Sequence, residues 1–249
     1  MVDPKSVLIT GASGGIGSAL AKAYAKPDRH LFLGDVDSDK LARVCDICNE
    51  LGAVSHGHEV DVTNREAMEN WIAEADGTAA LDLVIANAGI SHGNLRREET
   101  EEQIRAVFAV NLEGTLNTVL PALPMFRTRK RGQIAIMGSM AGVRGFPHAP
   151  SYCASKAAIR VFGQGLRARV RREGVSVCVI IPAFVQTPMT EANAYGMPWR
   201  LGADEAARII KHKLLQDKGE FVFPYQYAFA AWLASAIPSS IMSFLTRLK

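Results

Sequence analysis

Short apolar runs alternate with helix-period segments along most of this chain, and that alternation restricts the fold more than any other feature. The strand-like runs are Val7–Thr10, Leu31–Gly34, Val54–Val60, Leu83–Ala86, Ile134–Met137 and Val175–Ile181, with Phe221–Phe223 as a late addition. Helices are expected to open near Ile16, Ser38, Asn64, Glu101 and Tyr152, with another over Asp204–Gln216. Thr63-x-x-Glu66 and Thr100-x-x-Gln103 read as capping boxes, which start helices by pairing side chains with orphan backbone donors. Strands alternating with helices return by right-handed crossovers and build a parallel sheet covered on both faces. The expected fold is therefore a doubly wound α/β domain of Rossmann type, whose ligands bind at the carboxyl ends of the strands.

Length and composition agree with one such domain. The chain has 249 residues, 48% of them apolar and 21% charged, as in ordinary soluble globular proteins. A net charge of +3 gives no support for nucleic-acid binding, which shows a concentrated basic face. The basic runs Arg127–Arg131 and Arg167–Arg172 fall where helices end, and cations there complement the dipole; they read as solvated helix ends. Met1–Lys5 leads directly into a strand, and the four cysteines fit a reducing, cytoplasmic setting. Cys45 and Cys48 form a CxxC without a second ligand pair. They lie on a helical core face with Leu41, Val44 and Leu51, so no metal is expected. Cys153 and Cys178 read as core or pocket-wall residues.

The turn Thr10-Gly11-Ala12-Ser13-Gly14-Gly15-Ile16-Gly17 follows a strand and opens a helix, the context in which a glycine-rich turn is informative. Without side chains the backbone can approach a pyrophosphate, and the helix N-terminus supplies amide donors and positive potential. Asp35 closes the second strand, eighteen residues after Gly17. A carboxylate there accepts from both adenosine ribose hydroxyls and repels a 2′-phosphate. No cation stands at Ser13, Gly14 or Val36 to hold that phosphate, so NAD is expected over NADP. Asp61-Val62 after the third strand is expected at the adenine edge. Asn87-Ala88-Gly89 after the fourth is a small-residue turn beneath the cofactor.

Tyr152 and Lys156 are four residues apart, on one face of a helix. A phenol is a poor base at neutral pH, its reference pKa being about 10, and a nearby ammonium favours the phenolate. That pairing turns a tyrosine into a proton-transfer group beside a nucleotide site.

With these residues in view the sequence resembles a short-chain dehydrogenase/reductase of the compact single-domain branch, over roughly residues 5 to 225. The motifs are TGASGGIG at Thr10–Gly17, Asp61, NAG at Asn87–Gly89, Asn111, Ser139, YCASK at Tyr152–Lys156 and PAFVQTPM at Pro182–Met189. The resemblance implies that Tyr152 is the catalytic acid/base and that Ser139 hydrogen-bonds the substrate oxygen. It implies that Lys156 binds the nicotinamide ribose and depresses the tyrosine pKa, and that Asn111 supports a water for proton escape. Thr187 would grip the nicotinamide carboxamide, with Pro182 and Val185 fixing the ring. Ala183 departs from the glycine usual after that proline. The implied activity is NAD(H)-dependent interconversion of a secondary alcohol and a ketone, in a homodimer or homotetramer built through Glu101–Leu120 and Tyr152–Arg172.

On this reading 5–189 is the cofactor and catalytic core, 190–218 a substrate lid region and 219–249 a late strand with an apolar tail. His148, in the loop Val143–Ser151, is a candidate substrate contact beside Ser139 and Tyr152, with His92 and Gly93 nearby. Tyr195, Met197, Pro198 and Trp199 give the lid an apolar character, which favours a substrate with a hydrophobic portion. No residue from Phe221 to Thr246 is charged, yet Pro224 and Pro238 interrupt the run, so it is no spanning helix. Two short helices hinged at Pro238 are expected, packed on a partner subunit or over the substrate cleft. The alternative is peripheral membrane contact, with Arg247 and Lys249 at lipid headgroups. The competing functional reading is a catalytically silent NAD-binding scaffold or membrane-surface interaction protein. A sugar-nucleotide epimerase ranks below both, since its glycine turn is spaced differently.

Overall fold

The computed structural model describes residues 2–93, 98–191, 200–227 and 229. Seven strands make one parallel sheet: β1 (Ser6–Thr10), β2 (His30–Asp35), β3 (Val54–Glu59), β4 (Leu83–Ala86), β5 (Gly132–Met137), β6 (Val175–Pro182) and β7 (Glu220–Phe223). Their order is β3-β2-β1-β4-β5-β6-β7. The chain winds outward in one direction from β1 and then returns to begin the other half at β4. The crevice between those two strand ends is where such a sheet binds ligands.

The period-2 pattern of the strands divides the core into two layers. Val7 and Ile9 face the side covered by α1 (Gly15–Tyr24), α2 (Ser38–Glu50) and, after the short α7 (Pro188–Glu191), α8 (Ala203–Leu215). Leu8 faces the side covered by α3 (Arg65–Thr78), α5 (Gly114–Arg129) and α6 (Pro150–Val170). Both faces of the central strands are buried, which is why they read as continuous apolar runs. Cys45 and Cys48 lie in the first layer, on the core face of α2.

Several local expectations differ from the structure for identifiable reasons. Thr63 does not start α3; Asn64 is its cap and accepts from the amide of Ala67 at 3.1 Å. Thr63 is instead engaged by Asp61, whose carboxylate accepts its amide at 2.8 Å. Thr100 and Gln103 do form the expected box at the start of α4 (Glu101–Phe108). That helix continues through a π-helical turn, Ala109–Glu113, into α5. The basic runs are more than solvated ends. Arg129 binds both oxygens of Asp76 at 2.7 and 2.8 Å, and Arg167 donates to Asp217 and to the Val177 carbonyl. These arginines join helix ends to neighbouring elements.

The span 190–218, expected as a lid region, holds α8, which packs on α1 through buried Ala206, Ala207, Ile210 and Leu214. The lid residues Tyr195, Met197, Pro198 and Trp199, and the expected tail helices beyond Phe229, lie outside the described residues.

Gly17 shows how tightly the first crossover is drawn. A Cβ added there would overlap the carbonyl oxygen of Gly11, a backbone atom that cannot move aside. Gly17→Ala is expected to destabilise the fold by about 3 kcal/mol, the upper part of the usual overpacking range. Chemical denaturation checks this, with nucleotide binding expected to weaken in parallel.

Candidate active site

A cleft of about 510 Å³ opens at the carboxyl ends of β1–β6. Its floor is the turn between β1 and α1. Gly11 holds a positive φ of 63°, and a Cβ there would come within 2.8 Å of the Ala88 Cα. Gly14 caps α1 without any side-chain bond, so the first-turn amides of that helix are left open. Gly15 lies under Thr187; its added Cβ would meet Thr187 Cγ2 at 2.6 Å.

Two polar ties hold this floor in shape. Asp35 Oδ2 accepts from the Ser13 amide at 2.9 Å, joining the end of β2 to the glycine turn. Asn87 Nδ2 donates to the carbonyls of Thr10 and Gly11 at 3.0 and 3.1 Å, while Thr10 Oγ1 accepts from the amides of Asn87 and Ala88. Asn87 therefore clamps β4 to β1, a role its small-residue turn did not announce. Asp37, by contrast, caps α2 and pairs with Lys40.

The residues named for the cofactor mostly converge. Gly11, Ser13, Gly14, Gly15, Ile16, Gly17, Asp35, Asp61, Val62, Asn87, Ala88, Gly89, Tyr152, Lys156, Pro182 and Thr187 all line the cleft. Val185 is buried beneath it, where its carbonyl accepts from Thr190 Oγ1 and so supports the Thr187–Thr190 turn. An uncapped helix start, a glycine floor and a carboxylate at the end of β2 fit a dinucleotide.

The far end of the cleft is built on α6. Tyr152 lies in its first turn, and Lys156 one turn later is buried. Lys156 Nζ donates to the Met137 carbonyl at 2.8 Å and lies 5.7 Å from the centroid of the Tyr152 ring. Burial lowers its pKa to about 8, because a low-dielectric setting disfavours the ammonium. Ser139 Oγ accepts from the Ala141 amide at 3.1 Å, a contact that uses a lone pair and leaves the hydroxyl proton for another oxygen. The 3₁₀ turn after it, Met140–Val143, is pressed onto α6: a Cβ at Gly142 would lie 2.6 Å from the Lys156 carbonyl carbon.

Asn111 is fully buried on the π-helical turn. Its Oδ1 accepts from the Ile90 amide at 2.8 Å, and its Nδ2 donates to the Ile90 carbonyl and to Ser155 Oγ. Its side chain thus joins the strand β4 exit to α6. Gly89 separates the two polar groups, with its added Cβ 3.2 Å from Asn111 Oδ1 and 3.3 Å from Lys156 Nζ. His148 and His92 are exposed, and Gly93 packs closely against the backbone of His148 and Ala149.

Two contributors escaped the sequence. The Met137 carbonyl anchors Lys156, and a backbone acceptor carries no sequence signal. Asn117 on α5 donates to the Val62 carbonyl at 2.9 Å and so fixes the expected adenine edge. Its position on a helix facing the third strand end was the only clue.

Because the folded pKa of Lys156 lies below its unfolded value of about 10.4, its buried charge destabilises the protein fully below pH 8. That penalty fades as pH rises from 8 to 10.4, where the unfolded chain binds the extra proton. Lys156→Met is therefore expected to melt above the parent at pH 7. Paired melting curves at pH 7 and pH 10 should show the gap closing at the higher pH.

The short chain dehydrogenase family profile matches residues 5–196. An uncharacterized oxidoreductase of Myxococcus xanthus is 31% identical over 244 residues, covering 98% of this chain and 96% of the relative. Human 17-beta-hydroxysteroid dehydrogenase 13 is 27% identical over 247 residues, covering 98% and 82%. A short chain dehydrogenase/reductase from Burkholderia phymatum, crystallised in complex with NAD, superposes with a TM-score of 0.82 at 26% identity, covering 92% of each chain. Other solved structures of this fold hold NAD or NADPH. The sheet order, the glycine floor, the Tyr152–Lys156 helix and these matches agree: this chain belongs to the short-chain dehydrogenase/reductase family of oxidoreductases.

Proposed function

We propose that this protein is an NAD-dependent oxidoreductase that interconverts a secondary alcohol and a ketone, with Tyr152 as the acid/base. The observation that carries the reading is a buried ammonium beside a phenol at the end of a dinucleotide-shaped cleft. When bound, the nicotinamide supplies the acceptor or donor of hydride. In the oxidation direction Tyr152 removes the alcohol proton, and Ser139 holds the oxygen as its charge changes. Lys156, still cationic at neutral pH with a pKa of about 8, favours the phenolate and binds the nicotinamide ribose. Lowering the phenol pKa from about 10 towards 7 requires roughly 4 kcal/mol, within reach of close cations in a desolvated site. Asn111 supports a water through which the proton leaves.

Asp35 supports NAD over NADP. Its carboxylate stands at the cleft beside Ser13, where a 2′-phosphate would meet like charge. Phe146 and Met189 are exposed apolar side chains on the two segments flanking the reacting end, which suits a substrate with a hydrophobic portion. Leu120 and Val161, exposed on α5 and α6, suit a homo-oligomer joined through those helices. We hold to a cytoplasmic setting, in which the reduced cysteines are at home.

The test is NADH formation over a panel of secondary alcohols. Tyr152→Phe is expected to lower turnover about a thousandfold, within the range for general acid–base groups, while nucleotide affinity changes little. Turnover that survives this substitution would remove the proton-transfer role. Asp35→Ala is expected to weaken NAD binding about tenfold and to narrow the preference over NADP. Fluorescence titration with both nucleotides measures this; an unchanged preference would show that Asp35 does not select the cofactor.

A further inference from the structure

Helix α6 carries Tyr152 and Lys156, yet its own start lacks a side-chain cap. Ala149 stands at the cap position and Pro150 opens the first turn. A helix start leaves amide donors without intrahelical partners. Here a distant carboxylate supplies the missing acceptor. Glu99 Oε2 accepts from the Ser151 amide at 3.1 Å, and Glu99 Oε1 accepts from Ser151 Oγ at 2.7 Å.

Both ends of this contact are held. Ser151 is buried, and it directly precedes Tyr152. Glu99 directly precedes Thr100, whose capping box anchors the start of α4. An anion at this end also complements the helix dipole. Its charge is felt one turn into the helix: burial is the main cause that pushes the Cys153 thiol pKa up, and Glu99 adds to it.

We propose that Glu99 is a positioning residue for Tyr152: its two-pronged hold on Ser151 fixes the first turn of α6, which carries the phenol, and keeps a negative charge at that helix start. The importance of that placement rests on Tyr152 being the acid/base, but the placement itself is testable without a substrate. The other charged and titratable groups on the elements meeting here are Cys153, Lys156, Arg160, Arg167 and Arg169 on α6, Arg144 and His148 before it, His92 after β4, and Glu98, Glu101, Glu102 and Arg105 at and within α4. Of these, Glu98 is an exposed neighbour with the same charge and so serves as the control.

The experiment is a pH titration of the full chain labelled with ¹³C at tyrosine Cζ, with the Tyr152 resonance assigned by its loss in Tyr152→Phe. In Glu99→Gln the midpoint of Tyr152 is expected to fall by at least about 0.5 unit, since a negative charge that opposes the phenolate has gone. Glu99→Asp, which retracts the carboxylate by one methylene, is expected to give a smaller shift in the same direction. Glu98→Gln is expected to leave the midpoint in place. An unchanged or raised midpoint in both Glu99 variants, or an equal fall in Glu98→Gln, overturns the proposal. Absence of turnover in the parent enzyme would count against the oxidoreductase reading alone, because the titration needs no turnover.

Discussion

A buried ammonium held by one backbone carbonyl is the interaction around which this site is arranged. Lys156 reaches from α6 to the Met137 carbonyl at the end of β5, and burial alone pulls its pKa down to about 8. Taking a charge out of water is costly, and one neutral hydrogen bond offsets only part of that cost. The fold tolerates the arrangement because neighbouring elements over-determine it. Gly142 lets the Ser139 turn lie against α6, and Gly89 leaves room for the amine beside Asn111. A destabilised lysine surrounded by close backbone is the usual signature of a site kept for chemistry rather than for stability.

The nucleotide half of the cleft depends on a different device, the tying of strand ends to one another by polar groups. Asn87 and Thr10 clamp β4 to β1, Asp35 holds the glycine turn, and Asn117 holds the Val62 carbonyl. The reversal of strand order between β1 and β4 opens the crevice, and these ties give it a fixed floor. The glycine floor at one end of the cleft and the Tyr152–Lys156 helix at the other thus rest on one scaffold of seven parallel strands.

Much of the fold and of the site was legible in the sequence. The seven strands fall within two residues of their apolar runs, and the glycine turn, Asp35 and the Tyr152–Lys156 pair lie where their motifs suggested. Side-chain type and local spacing are enough for such features. Thr63 misled because Asn64 beside it competes for the same helix start, and a one-residue choice between two capping side chains turns on where the preceding strand ends. The helix expected over Asp204–Gln216 is α8, but its amphipathic pattern says nothing of which surface it will cover until α1 is in place.

The sequence by itself determined the alternation of elements, hence the parallel sheet, and the chemical types at the cleft. Those properties follow from the 2- and 3.6-residue periods and from functional groups at fixed offsets, which are local quantities. Only the tertiary structure decided that Met137 anchors Lys156 by its carbonyl, that a π-helical turn buries Asn111 against Ile90, and that Glu99 caps a helix some fifty residues away. Each of these joins a backbone group on one element to a side chain on another. Such contacts exist only once packing has brought the two within hydrogen-bonding distance and excluded the water that would otherwise serve both.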